Sequence, residues 1–156
     1  MAKPLTRGRT FARVAAVQAL FQADQTGDSI DSIIDQFLRH RLDPSGGAFD
    51  EGFLPDADLA LFGQIVRAAA FDAERLDRLI AEALPADWPL ARLDAVLRSL
   101  LRAGAAELAM TNGAPPRVVI NEYLDVAHSF FSGDEAKLVN GLLDRLAHEL
   151  KEEEFK

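Results

Sequence analysis

Wherever apolar residues recur in this 156-residue chain, they recur every three or four positions. That spacing lays them along one face of a helix. No segment alternates apolar and polar residues over the length of a strand, so the pattern offers nothing from which to build a sheet. Phe11, Val14, Val17 and Phe21 predict a first helix. Ile30, Ile33, Ile34, Phe37 and Leu38 predict a second, with Asp28 or Ser29 as its cap. A long pattern from Leu59 to Ala83 breaks near Phe71-Asp72, where Asp72 can cap a further piece, and Pro85 ends it. Leu93, Val96, Leu97, Leu100, Leu101 and Leu108 mark a middle helix. Gly104 interrupts it at a cost of about 1 kcal/mol relative to Ala, which close helix packing would explain. Asn112-Gly113 stops that helix, and Pro116 suits the first position of the next.

The stretch from Val118 to Ala147 reads as a helix, a Ser-Gly-Asp turn and a second helix. Ser132 with Glu135 three residues on predicts a capping box at the start of the second. Asn140-Gly141 alone would signal a hairpin turn. Its neighbours Leu138, Leu142, Leu143, Leu146 and Leu150 are helically spaced, so the helical reading is taken, with Gly141 as a point of close approach. The expectation is an all-α compact bundle of about six to seven helices whose amphipathic faces bury one another. Residues 1–156 are read as one domain. It has a basic arm over 1–13, a Gly-, Pro- and Asp-rich loop over about 41–58 expected to be mobile, and a frayed charged tail over 151–156.

Nearly half the residues are hydrophobic, which excludes a disordered chain. The absence of Cys excludes disulfides and thiol-ligated metals and fits a cytoplasmic location. No apolar run approaches the ~20 residues of a membrane span, and the opening MAKPLTRGRT lacks the apolar core of a signal peptide. The net charge of −8 argues at first against nucleic acid. Its distribution argues otherwise. Residues 1–23 carry Lys3, Arg7, Arg9 and Arg13 and no acid, whereas the rest carries 13 basic and 25 acidic side chains. A basic arm on an acidic body suggests a polyanionic ligand; a solubilising terminus is the plain alternative.

Catalytic signatures are missing: no Gly-rich phosphate loop, no HExxH and no nucleophile elbow. His40, His128 and His148 have no ligand-like spacing, and Glu122 and Asp125 share a helix face as solvated carboxylates commonly do. No enzyme activity, cofactor or metal is expected. Arg92, Arg98 and Arg102 form a second basic series, available for a ligand or for pairing with the acidic body. Trp88 sits between turn elements, where hinge packing is expected. Arg7, Arg9 and Arg13 lead into and along the first helix, offering rigid planar donors for phosphate.

The segments ARVAAVQALFQ, INEYLDVAHSF and KLVNGLLDRLA, in that order and at these separations, resemble the NusB family of bacterial transcription antitermination factors. The resemblance runs from Arg9 to about Leu150, leaving out 41–58. It implies an RNA-binding helical bundle in two subdomains, with Arg9 and Arg13 in the family's arginine-rich motif. Thr10 and Phe11 stand where relatives often carry further basic residues. Around the last turn and helix, Phe130, Asp134, Lys137 and Asn140 match the family's RNA surface. Phe130 would stack on a base, Lys137 would meet phosphate and Asp134 would accept from a base edge. Leu138 replaces an aromatic common in relatives, and Asn121 is expected as a buried amide satisfying a helix end.

The same resemblance implies recognition of a boxA-type single-stranded RNA in ribosomal RNA leaders. It implies a heterodimer with the ribosomal protein NusE, and work within the RNA polymerase elongation complex with other Nus factors against Rho-dependent termination. The alternatives are a helical protein-interaction module without RNA specificity, a detached domain of an RNA methyltransferase, and a DNA-binding helix-turn-helix.

Overall fold

A computed structural model of the chain describes residues 4–40, 58–110 and 113–150, the first four as backbone alone. The expected loop over 41–58, except Asp58, and the tail over 151–156 lie outside the described residues, as do Thr111 and Asn112. Seven α-helices and no strand occur among the described residues: α1 Pro4–Thr26, α2 Ile30–His40, α3 Leu59–Phe71, α4 Ala73–Ala83, α5 Ala95–Leu108, α6 Pro116–Phe130 and α7 Glu135–Leu150. The all-α bundle expected from the periodicity is what forms.

α5 is the axis of the fold. It packs against α1, α3, α4, α6 and α7. From Leu97 to Leu108 only Arg98 and Arg102 are not buried. Such a helix must start at a fixed point, and Asp94 supplies it by accepting from the amides of Val96 (2.8 Å) and Leu97 (3.1 Å). Gly104 allows the closest approach: a Cβ there would meet the Leu143 methyl carbons at 3.0 and 3.1 Å. α1, α2 and α3 pack together on one side, with Phe37 stacked on Phe62 at 5.6 Å between centroids. α4, α6 and α7 close the other side, and one continuous apolar core joins the two.

Several local expectations meet their structural counterparts. Ser29 caps α2 by accepting from Ser32 N (3.2 Å), after a turn in which Gly27 takes the left-handed φ of 75°. The helix over 59–83 does break at Asp72. Asp72, however, gives no side-chain cap and pairs with Arg75 at 2.8 Å. Pro116 occupies the first turn of α6. Trp88 is half-buried against the core.

Four details differ. In α1 the inward face is mostly alanine (Ala12, Ala15, Ala16, Ala19) with Val17 and Leu20, while Phe11, Val14 and Phe21 are only half-buried. The small face lets α1 lie close to α3 and α5. α5 ends at Leu108, before Asn112-Gly113. α7 starts at Glu135, so Ser132 is too early to cap it; the Glu135 carboxylate instead accepts from Gly133 N (3.1 Å). Gly141 is not a contact point: it is exposed, and a Cβ there meets nothing within 4 Å.

Candidate nucleic-acid interface

α6 lies between α1 and α7. Thr10 faces Glu122, and further along Val17 and Phe21 share a groove with Phe130, so α1 and α6 run in the same direction. α7 returns antiparallel, bringing Asn140, Asp144 and His148 beside Asn121 and Arg117. The expected site residues are spread over three helices, and Arg9, Phe130 and Asn140 line three different grooves instead of converging on a single pocket.

Arg9 is exposed on the leading turns of α1 and makes no ion pair among the described residues. It lines a cleft of about 760 Å³ between α1, α3 and the segment after α5. Arg7 belongs to α1, but its side chain lies outside the described residues. Arg13 departs from expectation, being only 1% exposed. Its Nε donates to Glu107 Oε1 (2.8 Å), its Nη2 to Glu107 Oε2 (2.6 Å) and its Nη1 to Glu122 Oε1 (2.9 Å). The Tyr123 hydroxyl donates to Glu107 Oε1 (3.0 Å), and the Thr10 hydroxyl reaches both oxygens of Glu122 at 3.3 Å. Arg13 is thus an interior clasp joining α1 to α5 and α6.

Burial works against the Arg13 charge, but the hydrogen bond and charge of Glu107, followed by Tyr123 and Glu122, outweigh it and raise the guanidinium above its usual value. Burial, reinforced by Glu107, pushes the Tyr123 hydroxyl well above the ordinary tyrosine value. The periodicity of α1 held a signal for this placement. Arg13 precedes Ala16, Val17 and Leu20 by three, four and seven residues, all of them buried.

The α6–α7 turn presents the rest. Phe130 is 37% exposed, an aromatic face open to solvent beside Phe131 at 6.3 Å between centroids. Asp134 and Lys137 are exposed, and the Asp134 carbonyl accepts the first amide hydrogen bond of α7 from Leu138. Leu138 is buried and serves packing. Asn140 is exposed and lines a polar groove of about 390 Å³. Asn121 lines the same groove and is exposed, not the buried amide expected. Of the second basic series, Arg98 pairs with Asp24 (2.9 Å) and Arg102 with both oxygens of Asp77 (2.7 Å each). Those two arginines hold helices together, and Arg92 stands apart in a 3-10 turn before α5.

The fold is an all-helical bundle, with an exposed arginine near the start of α1, an exposed aromatic at the end of α6, and an exposed cation and amide in the first turns of α7. The sequence profile of the NusB family matches residues 10–148, and the chain belongs to that family. The transcription antitermination protein NusB of Granulibacter bethesdensis is 58% identical over 152 residues, covering 96% of this chain and 93% of the relative. That of Gluconobacter oxydans is 54% identical over 146 residues, covering 94% and 90%. Among solved structures, T. maritima NusB superposes with a TM-score of 0.75 at 28% identity, covering 94% of this chain and 96% of the other. A chain from the complex of antitermination factors NusB and NusE with dsRNA gives 0.73 at 24% identity, covering 92% and 98%, a likeness of fold.

Proposed function

We propose that this chain is a transcription antitermination factor that binds boxA-type single-stranded RNA of ribosomal RNA leaders together with NusE. Within the elongation complex it suppresses premature Rho-dependent termination. The observation that carries the reading is the end-to-end match to relatives named as antitermination proteins, at 58% and 54% identity. The surface of α1, α6 and α7 supports it chemically. Arg9 and Lys137 are exposed cations for phosphate, Phe130 offers a stacking face, and Asp134 and Asn140 offer polar contacts to base edges. Arg7, two positions before Arg9 in the sequence, belongs to the same proposed basic arm. Arg13 acts through position: its three hydrogen bonds fix the roll of α1 and so the direction in which Arg9 points.

The mechanism is binding without bond chemistry. Phosphate neutralisation supplies affinity and stacking supplies preference for an unpaired strand. The acidic body attracts a basic protein partner, which speeds and orients the encounter with a ribosomal protein. Fluorescence-anisotropy titration of a boxA-like RNA and a scrambled RNA, with and without NusE, tests the reading. Preference for boxA that strengthens when NusE is added is expected. Equal, weak binding to both RNAs under every condition would leave a helical protein-interaction module.

A further inference from the structure

The cleft beside Arg9 holds a second cation that the proposed interface does not use. Arg67, on α3, lines it together with Arg9, Asp58, Gln64, Leu61 and Met110. Arg67 and Arg9 approach from different helices, and neither makes an ion pair among the described residues. Six other arginines are treated otherwise: Arg13, Arg39, Arg75, Arg98, Arg102 and Arg145 all reach a carboxylate. The Arg67 guanidinium lies back over Gly63, one turn earlier, where a Cβ would stand 3.1 Å from its Nη1. The missing side chain at 63 gives the guanidinium its seat.

Of the two acids lining the cleft, one is neutralised by an arginine and the other, still charged, caps a helix. Glu107 is held at both oxygens by Arg13. Asp58 caps α3 by accepting from Leu61 N (3.0 Å), and its own amide donates to the Gly8 carbonyl (2.9 Å), which ties the start of α3 to α1 beside Arg9. Two planar donors are thus left facing one open space large enough for a nucleotide. Guanidinium forks suit phosphate oxygens, and an extended polyanion can engage both at once.

We infer that Arg67 and Arg9 together form a phosphate-binding cleft that takes the backbone of single-stranded RNA, carrying the strand from α1 onto α3. This rests on the RNA-binding reading and adds a residue and a direction to it. A contact to phosphate carries no sequence information, so losing Arg67 weakens boxA-like and scrambled strands by the same factor.

The test is the salt dependence of anisotropy-measured binding of the full chain, with NusE, to a boxA-like RNA extended at both ends. Wild type, Arg9→Ala, Arg67→Ala and Arg67→Lys are compared, with thermal melts as the folding control. Arg67→Ala is expected to lower the slope of log K against log salt by about 0.7, the amount for one phosphate on a single strand. Arg67→Lys, which keeps the charge, is expected to keep the slope. If Arg67→Ala retains the wild-type slope while Arg9→Ala lowers it, the cleft is not on the RNA path and the inference falls while the RNA reading stands. If the wild type itself shows no salt-dependent binding, both fall.

Discussion

At the residue scale, Arg13 shows how one side chain can belong to the core and still serve the surface. Its guanidinium satisfies both oxygens of Glu107 and one of Glu122, so removing it leaves a carboxylate buried without its counter-charge. Breaking such a pair from one side costs about 3–5 kcal/mol. Arg13→Met is therefore expected to lower the unfolding free energy by about that amount in urea titration; a midpoint equal to wild type would mean the clasp is not formed. Tyr123 gives the pH dependence. Its folded value is raised above the ordinary 10.0, chiefly by burial. The folded chain thus holds this proton where the unfolded chain releases it. Stability from the neutral hydroxyl is fully present below about pH 10 and is lost as pH rises from there through the raised value. Tyr123→Phe should cost about 1 kcal/mol at pH 7 through the lost hydrogen bond and should flatten the decline of melting temperature above pH 10. An unchanged alkaline slope would place the dependence elsewhere. Arg13 was read from the sequence as a phosphate donor, although its spacing to the buried Ala16, Val17 and Leu20 sets it on the inward face. Its partners Glu107 and Glu122 were not, because they stand 94 and 109 positions away.

At the scale of elements, helices and most of their ends could be read from the chain. Pro116, Ser29 and the break at Asp72 act through local backbone chemistry, which sequence spacing encodes. Roles that depend on the neighbouring helix were harder. Gly104 and Gly141 both interrupt apolar patterns, yet only Gly104 meets another helix. A clue lay in the charged side of α7, since Gly141 precedes Asp144 and Arg145 by three and four residues and all three are exposed. The two glycines predict opposite results. Gly141→Ala removes backbone freedom from the unfolded chain without a clash and should stabilise by roughly 0.5–1 kcal/mol. Gly104→Val drives methyl groups into the buried Leu143 and Tyr123 and should destabilise by about 1–3 kcal/mol. Thermal melts of the pair check both signs; equal shifts would contradict the packing described for α5 and α7.

At the scale of the whole molecule, the charge distribution adds to the functional argument that the relatives carry. Six arginines are held in ion pairs, and the cations without one among the described residues include Arg9 on α1, Arg67 on α3 and Lys137 on α7. The asymmetry of the N-terminal arm could be counted from the chain. The cleft could not, because Arg9 and Arg67 meet only through the packing of α1 on α3. The measurement that tests the central claim most directly is read-through of a Rho-dependent terminator by RNA polymerase in vitro. It would use NusE and the other Nus factors, with and without this chain, on templates with and without boxA. Added chain is predicted to raise read-through on the boxA template alone, with Arg9→Ala/Lys137→Ala reducing the gain. Read-through that is unchanged by the chain, or raised equally on both templates, would contradict the account.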